Sequence, residues 1–219
     1  MEQLALTPLA QGLTDVFYDF DFAILGFYHQ LAQSAAGRVL SPVLYVITLT
    51  GWKGAFLILM SLVMIAFRKT RRTGICCLVA LAIGALFTNL IVKNMVARPR
   101  PYHFDATLRA WWIYAGSHME SEFSFPSGHM TAACGFTSAF VLTRGKKWLP
   151  AGIVYVCLMG ISRNYLVVHY PSDVLGGFVF GTCAGIISFY LIRAIYRKWG
   201  QSRLLREEAV SDSSGKRES

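Results

Sequence analysis

The chain has 219 residues, a length that fits one domain or two, so its composition is the more informative property. Hydrophobic residues make up 54% of it and charged residues only 15%, which argues against an ordinary soluble protein and indicates a membrane protein. The net charge of +9 does not indicate nucleic-acid binding, because the basic residues lie in short stretches beside apolar runs rather than in one broad patch.

All the cysteines fall inside apolar segments, where a free thiol behaves as a small hydrophobic side chain. They are Cys76, Cys77, Cys134, Cys157 and Cys183. We predict neither a disulfide framework nor a zinc site from them. Residues 1–15 lack a basic stretch followed by an apolar core, so we expect no cleaved signal peptide and expect the first membrane segment to direct insertion.

Long apolar runs predict an all-α protein, a polytopic bundle of five or six transmembrane helices in one domain over residues 1–200. A helix needs about 20 apolar residues to cross the hydrocarbon core. Four runs meet or approach that length, and they cover residues 50–67, 74–92, 148–166 and 174–196. A fifth run, 128–143, is shorter, but it alone can return the chain between its neighbours. Polar residues interrupt the run 16–36, which we expect either to span the membrane or to lie along its interface.

Basic residues in short loops predict which side of the membrane each loop faces. Residues 68–72 and 144–147 are rich in Arg and Lys and are separated by two predicted spans, so both face the cytoplasm. The basic tail after residue 193 follows two further spans and reaches the same side. The segments 98–126 and 167–173 then lie together on the outer face. The polar, Ser-rich residues 201–219 predict a disordered cytoplasmic tail.

Three polar motifs occur at the outer ends of predicted spans. They are KNMVARPRP at 93–101, FPSGH at 125–129 and SRNYLVVHYPSD at 162–173. Lys93, Arg100 and Arg163 are fixed cations of the kind that stabilises the charge on a phosphoryl group during transfer. Snorkelling at a span end would also explain Lys93 and Arg100. Arg163 could also be one of the basic residues that keep a span end on the cytoplasmic side, although its outward position argues against that explanation.

The FPSGH motif has a proline where a helix would begin. Pro126 suits the first position of a helix, which puts Ser127 and Gly128 in the first turn, where backbone N–H groups have no partner within the helix. Such a terminus binds anions, Gly128 would allow a phosphate to come close, and Ser127 could donate from its hydroxyl. An ordinary cap at the start of a span explains the motif equally well.

His129 and His169 differ in their surroundings, although a single histidine in a membrane segment is more often structural. Asp173 follows His169 by four residues, and Pro171 lies between them where the next helix would open. A carboxylate that accepts from one ring nitrogen fixes the tautomer and leaves the other nitrogen free to attack phosphorus. His129 has no carboxylate in its motif, so it can stay protonated and protonate the leaving oxygen.

Together the three motifs resemble the signature of the type 2 phosphatidic acid phosphatase superfamily, K-x6-R-P, P-S-G-H and S-R-x5-H-x3-D. All three match in order and without a departure, over residues 90–180. The resemblance implies a helical core like that of acid phosphatases and vanadium haloperoxidases, and hydrolysis of a lipid phosphate or diphosphate without a metal or other cofactor. It also implies that His169 forms a phosphohistidine, that Asp173 orients it, and that water then releases phosphate.

The outer loop contains residue types that could ligate a metal, namely His103, Asp105, His118, Glu120 and Glu122. Their spacing fits no metal motif, so a metal site is the weaker interpretation. Trp111 and Trp112 suit an anchor at the depth of the lipid headgroups, near an entrance for substrate, although an ordinary loop explains them too.

Two other classes of protein fit part of this pattern. A transporter or lipid-binding protein could keep an anion pocket without turnover, but it would not need His129, His169 and Asp173 together. A vanadate-dependent haloperoxidase has a similar site, but those enzymes are soluble. The resemblance leaves open polyprenyl diphosphates, phosphatidic acid and phosphatidylglycerol phosphate as substrates. We expect a polyprenyl diphosphate if the protein belongs to a bacterial plasma membrane, and the oligomeric state stays open.

Overall fold

The computed structural model describes residues 6–120 and 123–215, with side chains as far as residue 199. Within these residues all the regular structure is helical, as the sequence predicts. The α-helices are α1 Pro8–Gln33, α2 Gly37–Thr50, α3 Ala55–Ala66, α4 Arg71–Ala85, α5 Lys93–Val96, α6 Pro101–Phe104, α7 Ala106–Tyr114, α8 Gly128–Arg144, α9 Leu149–Tyr165 and α10 Pro171–Gly215. A π-helical stretch, Leu86–Val92, joins α4 to α5.

Within the part of the chain that the structure describes, two helical segments are long and apolar enough to cross a membrane, and they contain the predicted spans 74–92 and 174–196. They are Arg71–Phe104 and Pro171–Trp199. The helices α2 and α3 add a third if they form one broken span, since they meet at an angle of 43°. The helices α8 and α9 correspond to the predicted runs 128–143 and 148–166, but each has only 17 residues. A total of five or six spans stays a prediction.

The predicted span 50–67 is wrong at its start. Helix already begins at Gly37 and is interrupted between α2 and α3, where Lys53 and Gly54 adopt left-handed backbone conformations that a right-handed helix cannot contain. Gly51 precedes this break, and a Cβ there would lie only 2.6 Å from Cδ2 of His129. The break therefore brings the chain into close contact with a motif histidine.

The helix α8 lies at the centre of the bundle and packs most extensively against α10 and α4. Gly177, Gly181 and Gly185 recur every four residues on α10 and face α8. A Cβ on Gly181 would lie 2.4 Å from the carbonyl oxygen of Thr131, so no larger residue fits there. Small residues at this spacing let membrane helices approach closely. This glycine seam holds the first turns of α8 and α10, which carry two of the motifs, side by side.

The helix α1 lies across the end of the bundle where the motifs are. The hydroxyl of its N-cap, Thr7, donates to the carbonyl of Val96 at the end of α5. Near its other end, the ring of Tyr28 packs on that of Tyr165 at the end of α9, with centroids 6.5 Å apart. Whether residues 16–36 span the membrane or lie along its interface stays a prediction.

The last helix, α10, continues to Gly215 and so extends into the tail 201–219, for which the sequence predicts disorder. Residues 203–209 include Leu, Arg, Glu and Ala, which are strong helix formers and account for the helical backbone. Residues 216–219 lie outside the described residues, where the prediction of disorder is untested.

Trp112 of α7 packs inside the protein, so the prediction that it anchors the chain at the lipid headgroups is wrong, whereas Trp111 is half-buried and its role as an anchor stays a prediction. Trp112 is buried: its ring stacks on Tyr102 with centroids 4.4 Å apart, and its indole N–H donates to the carbonyl of His118 at 3.0 Å. Trp111 stacks on His29 of α1 with centroids 5.1 Å apart. Trp111 thus fastens the outer loop to α1, and Trp112 is held by Tyr102 and His118 of the loop itself.

Candidate active site

A cavity of about 660 Å³ brings the three motifs together. Its lining includes Lys93 and Arg100 from the first motif, His129 from the second and His169 from the third. Apolar side chains of α3 and α4 line another part of its wall, namely Ile58, Leu78, Leu81, Ala82 and Ala85. The cavity therefore combines a cationic, histidine-containing part with an apolar part.

His169 lies between α9 and α10 and is only 1% exposed. Its Nε2 is 3.3 Å from Nη1 of Arg100, and its Nδ1 is 3.5 Å from Oδ2 of Asp173. Because a guanidinium can only donate, Nε2 is the acceptor and the ring proton lies on Nδ1, facing Asp173. At 3.5 Å the Asp173 contact is longer than the direct hydrogen bond that the sequence predicts, so in this structure the carboxylate is only a close neighbour of the ring.

The charge state of His169 follows from its surroundings. Burial lowers the pKa of its imidazole well below the ordinary value, and the positive charges of Arg100, Arg163 and Lys93 lower it further. The ring is therefore neutral at neutral pH. A neutral imidazole has a lone pair with which a ring nitrogen can attack.

Several donors hold the carboxylate of Asp173, which is fully buried in the first turn of α10. The hydroxyl of Ser124 and the backbone N–H of Tyr170 both donate to Oδ2, the latter at 2.9 Å. Arg98 donates from Nη1 to Oδ1 at 2.8 Å. Arg98 and Ser124 were not predicted from their motifs, although a second arginine two positions before Arg100 is a visible signal in the sequence.

Arg163 is buried at the end of α9, and neighbours occupy its fork. Its Nη1 donates to Oγ1 of Thr48 at 2.6 Å, and its Nη2 forms an ion pair with the carboxylate of Glu120. Glu120 lines the cavity, whereas Arg163 does not. The carboxylate of Glu120 thus lies between the cavity and Arg163, which the sequence predicts to bind phosphate. It occupies the planar pair of N–H donors that a phosphate would bind.

The FPSGH motif begins its helix two residues later than the sequence predicts. The helix α8 starts at Gly128, and Ser127 is its N-cap, with extended backbone and a hydroxyl that accepts from the N–H of Met130 at 3.5 Å. Serine is a preferred N-cap, which explains the shift from Pro126. Ser127 also donates its own N–H to the carbonyl of Asp173 at 3.0 Å. Gly128 lines the cavity, whereas Ser127 does not.

The residues considered as metal ligands have other contacts. Asp105 caps α7, and the rings of His103 and His118 stack on or pack against tyrosines. Glu120 pairs with the arginine of α9, and Glu122 lies outside the described residues. In residues 6–120 and 123–199, no three His, Cys, Asp or Glu side chains come close enough together to hold a metal ion.

A cavity with cations and histidines at the end of a helical bundle offers the groups that phosphoryl transfer needs. Residues 73–197, more than half of the chain, match the PAP2 superfamily. The chain belongs to this superfamily, as the motifs predict.

Named relatives of this chain are lipid phosphatases. Phosphatidylglycerophosphatase B of Bacillus subtilis is 37% identical over 121 residues, which are 50% of this chain and 52% of that protein. Undecaprenyl-diphosphatase of Sulfolobus acidocaldarius is 28% identical over 125 residues, 57% of this chain and 58% of that one. Decaprenylphosphoryl-5-phosphoribose phosphatase of Mycobacterium tuberculosis is 37% identical over 141 residues, 63% and 69%. The chain thus spans little more than half the length of the first two relatives.

Two solved structures resemble the fold. The transmembrane PAP2-type phosphatidylglycerolphosphate phosphatase of Bacillus subtilis has a TM-score of 0.62 at 27% identity, over 87% of this chain and 91% of that one. Aquifex aeolicus LpxE has a TM-score of 0.57 at 22% identity, over 78% and 95%. The second likeness concerns the fold alone.

Proposed function

We propose that this protein is an integral membrane lipid phosphatase that hydrolyses a phosphomonoester or diphosphate through a phosphohistidine intermediate. The observation that carries the proposal is that Lys93, Arg100, His129 and His169, from three separate motifs, line one cavity. Phosphoryl transfer needs positive charge around the transferred oxygens, a nucleophile and a proton donor, and these residues offer all three. Membership of the PAP2 superfamily and the lipid phosphatases among the relatives support the same reaction.

In the first step, Nε2 of neutral His169 attacks phosphorus, and the bond between phosphorus and the leaving oxygen breaks. The negative charge of the bound phosphate offsets the surrounding cations and keeps His129 protonated, and His129 gives its proton to that oxygen, so that the lipid leaves as an alcohol or a monophosphate. Asp173 faces Nδ1 and stabilises the positive charge that the ring gains as Nε2 becomes phosphorylated. Lys93 and Arg100 bind the phosphoryl oxygens throughout.

In the second step, water attacks the phosphohistidine. His129, now without its proton, accepts one from the water, and the P–N bond breaks to release phosphate and neutral His169. The backbone N–H at Gly128 begins a helix beside the cavity and is suited to bind a phosphoryl oxygen. Arg163 would also bind the phosphoryl group, once that group displaces Glu120 from the Arg163 guanidinium. Ser127 supports the site as the cap of that helix. No metal or other cofactor takes part in either step.

The substrate is a lipid whose phosphate enters the cationic part of the cavity. The apolar side chains that α3 and α4 contribute to the same cavity suit the beginning of a hydrocarbon chain. Polyprenyl diphosphates, phosphatidic acid and phosphatidylglycerol phosphate all satisfy these requirements, and the names of the relatives include two of these classes. A polyprenyl diphosphate is our leading candidate for a bacterial plasma membrane.

We also propose that five or six spans cross the membrane and that the cavity faces outward. The two basic loops support this orientation, because Nη1 of Arg144 lies 3.5 Å from the carbonyl oxygen of Lys69 and the loops therefore meet at one end of the bundle. The test is a cysteine at Ala106, which is exposed, in a variant without native cysteines. It should react with an impermeant maleimide in intact cells, whereas labelling only after permeabilisation would reverse the orientation.

The proposed function is tested by phosphate release from a panel of the three lipid classes in detergent micelles with excess EDTA. Wild type should release phosphate and form an acid-labile phosphoenzyme, because positive side chains rather than a metal stabilise the charge. His169→Ala should bind the lipids but form no phosphoenzyme. Binding without turnover by wild type would indicate a lipid-phosphate binding or transport protein instead, and loss of activity in EDTA that one metal restores would contradict the metal-free mechanism.

A further inference from the structure

A third buried arginine, besides Arg100 and Arg163, lies behind the proposed nucleophile. Arg98 is 1% exposed, and its Nη1 donates to Oδ1 of Asp173 at 2.8 Å and to Oγ of Ser172 at 2.7 Å. Its Nη2 donates to Oδ2 of Asp21 at 2.9 Å. The guanidinium also lies over the ring of Tyr170, 3.8 Å from its centroid. Arg98 is therefore bound by groups from both α1 and α10.

Asp21 comes from the middle of α1 and is 2% exposed. Ser172 binds both of its oxygens: the backbone N–H donates to Oδ1 at 2.8 Å and the hydroxyl to Oδ2 at 2.6 Å. A carboxylate buried without partners is strongly unfavourable, and so is a lone guanidinium. Asp21, Arg98 and Asp173 therefore depend on one another, and with both carboxylates ionised against the guanidinium they carry one net negative charge.

We propose that Asp21 and Arg98 are positioning residues that fix the carboxylate of Asp173 and set its charge for the reaction at His169. This inference rests on the proposed function. Neither residue lines the cavity, so neither would touch the substrate. Their effect would pass through Asp173 to the ring.

The orientation of Asp173 follows from how Arg98 binds it. The arginine takes Oδ1, while the backbone N–H of Tyr170 and the hydroxyl of Ser124 take Oδ2, so the carboxylate cannot rotate without losing charged hydrogen bonds. This leaves Oδ2 as the oxygen near Nδ1 of His169. A lysine at position 98 would keep the charge but could not make the same planar set of contacts.

The second effect is one of charge. With Asp21 in place, the buried group behind His169 is negative overall. Without it, the pair of Arg98 and Asp173 is neutral and opposes less of the positive potential on the cavity side. The charged and titratable groups that face His169 from its neighbours are Lys93, Arg100, Glu120, His129, Arg163 and Asp173. Loss of Asp21 should therefore make the ring less basic and a weaker nucleophile.

The test compares Asp21→Asn with Asp19→Asn, which removes the same charge from an exposed position on the same helix. Activity is measured on phosphatidic acid in detergent micelles across a range of pH. In Asp21→Asn we expect kcat to fall roughly 10- to 100-fold, as for a misplaced catalytic group, with KM little changed. The acid limb of its pH profile should move to lower pH. Asp19→Asn should match wild type in kcat, in KM and in the position of the acid limb.

A change in stability alone would not produce this combination. If Asp21→Asn lowers kcat but leaves the acid limb where it is in wild type, the proposed effect on charge is wrong. If its kinetics equal those of wild type, the whole inference is wrong while the proposed function stands. A wild-type protein without phosphatase activity on any lipid would instead refute the proposed function.

Arg98→Lys provides a second variant, which keeps the charge in case Asp21→Asn does not fold. We expect its kcat to fall, because the ammonium cannot hold Asp21, Ser172 and Asp173 at once, and its acid limb to stay in place, because the net charge is unchanged. Wild-type kinetics in this variant would refute the positioning role of Arg98.

Discussion

The segment from His169 to Asp173 separates two regions with opposite charge balances. In the region behind it, Arg98 is shared by two carboxylates, and all three side chains are buried. On the cavity side, the charged lining residues are Lys53, Lys93, Arg100 and Glu120, so positive charges outnumber negative ones. Carboxylates therefore outnumber cations where the protein is closed, and cations outnumber carboxylates where an anion can enter.

Arg98 and Arg100 show the same contrast within one motif. Arg98 points to carboxylates of α1 and α10, and Arg100 points to the nitrogen of His169 on the cavity side and to the carbonyl of Val168. Two arginines of the same type and almost the same burial can therefore differ in role. Their partners, rather than their exposure, distinguish them.

The largest loss of activity is expected when the carboxylate between the two regions, that of Asp173, is neutralised. Asp173→Asn keeps the shape of the side chain but removes the charge that stabilises the proton on Nδ1 of His169. We expect kcat to fall about 10⁴-fold, the size seen when a histidine partner of this type becomes an amide. Activity on phosphatidic acid measures the effect, and a loss below about tenfold would show that the 3.5 Å contact has no catalytic role.

On the cavity side, His129→Ala removes the proposed proton donor. Its kcat on a lipid substrate should fall roughly 10²–10⁴-fold. The loss should shrink on nitrophenyl phosphate, because nitrophenolate leaves without a proton. His169→Ala is the matched control and should lose both activities. The assigned roles would have to be exchanged if His169→Ala, rather than His129→Ala, showed this dependence on the leaving group.

Glu120→Gln makes the cavity side more positive relative to the buried region, because it removes the negative charge from the cavity wall. The side chain of Glu120 is 27% exposed, so we expect only the modest effect of a partly exposed ion pair, an affinity for inorganic phosphate about two- to fivefold higher. Competitive inhibition by phosphate measures it, and Asp105→Asn in the same loop is the control. Weaker phosphate binding would mean that Glu120 positions Arg163 instead of competing with the phosphate.

The smallest effect concerns pH. Because burial and nearby cations lower the pKa of His169, the ring stays neutral, and hence nucleophilic, down to a pH below the ordinary imidazole value. Activity should therefore hold as pH falls to about 6.5 and decline only below it. His129→Ala acting on nitrophenyl phosphate should keep this acid limb. A limb at or above the ordinary value would indicate that His169 is not buried as described.

The sequence predicts best what depends on local pattern. The all-helical architecture follows from apolar runs, and the superfamily follows from residues at short, fixed spacings. The sequence also predicts that the three motifs meet, because each lies at the end of a predicted span on the outer face. The structure places them at one cavity, which is lined by Lys93, Arg100, His129 and His169. The catalytic roles of these residues stay predictions.

Contacts between distant segments could not be derived in the same way. The pairing of Arg98 with Asp21 joins residues 77 positions apart, and no spacing rule connects them. A carboxylate inside an apolar run was the available signal, because such a group needs a partner. The burial of Trp112 likewise depends on its stacking against Tyr102 of a different helix, which composition does not show. The start of α8 at Gly128 was missed because proline and serine compete for the same helix end.

The position of α1 bears on how the boundaries of a functional unit are drawn. The match to the superfamily begins at residue 73, yet the partners of two buried arginines precede it: Asp21 holds Arg98, and Thr48 holds Arg163. A fragment cut at the edge of the match would keep every signature motif and still leave both guanidinium groups short of a partner. For this protein, the minimal piece to express, transplant or compare across species is defined by its ion pairs and begins before residue 21.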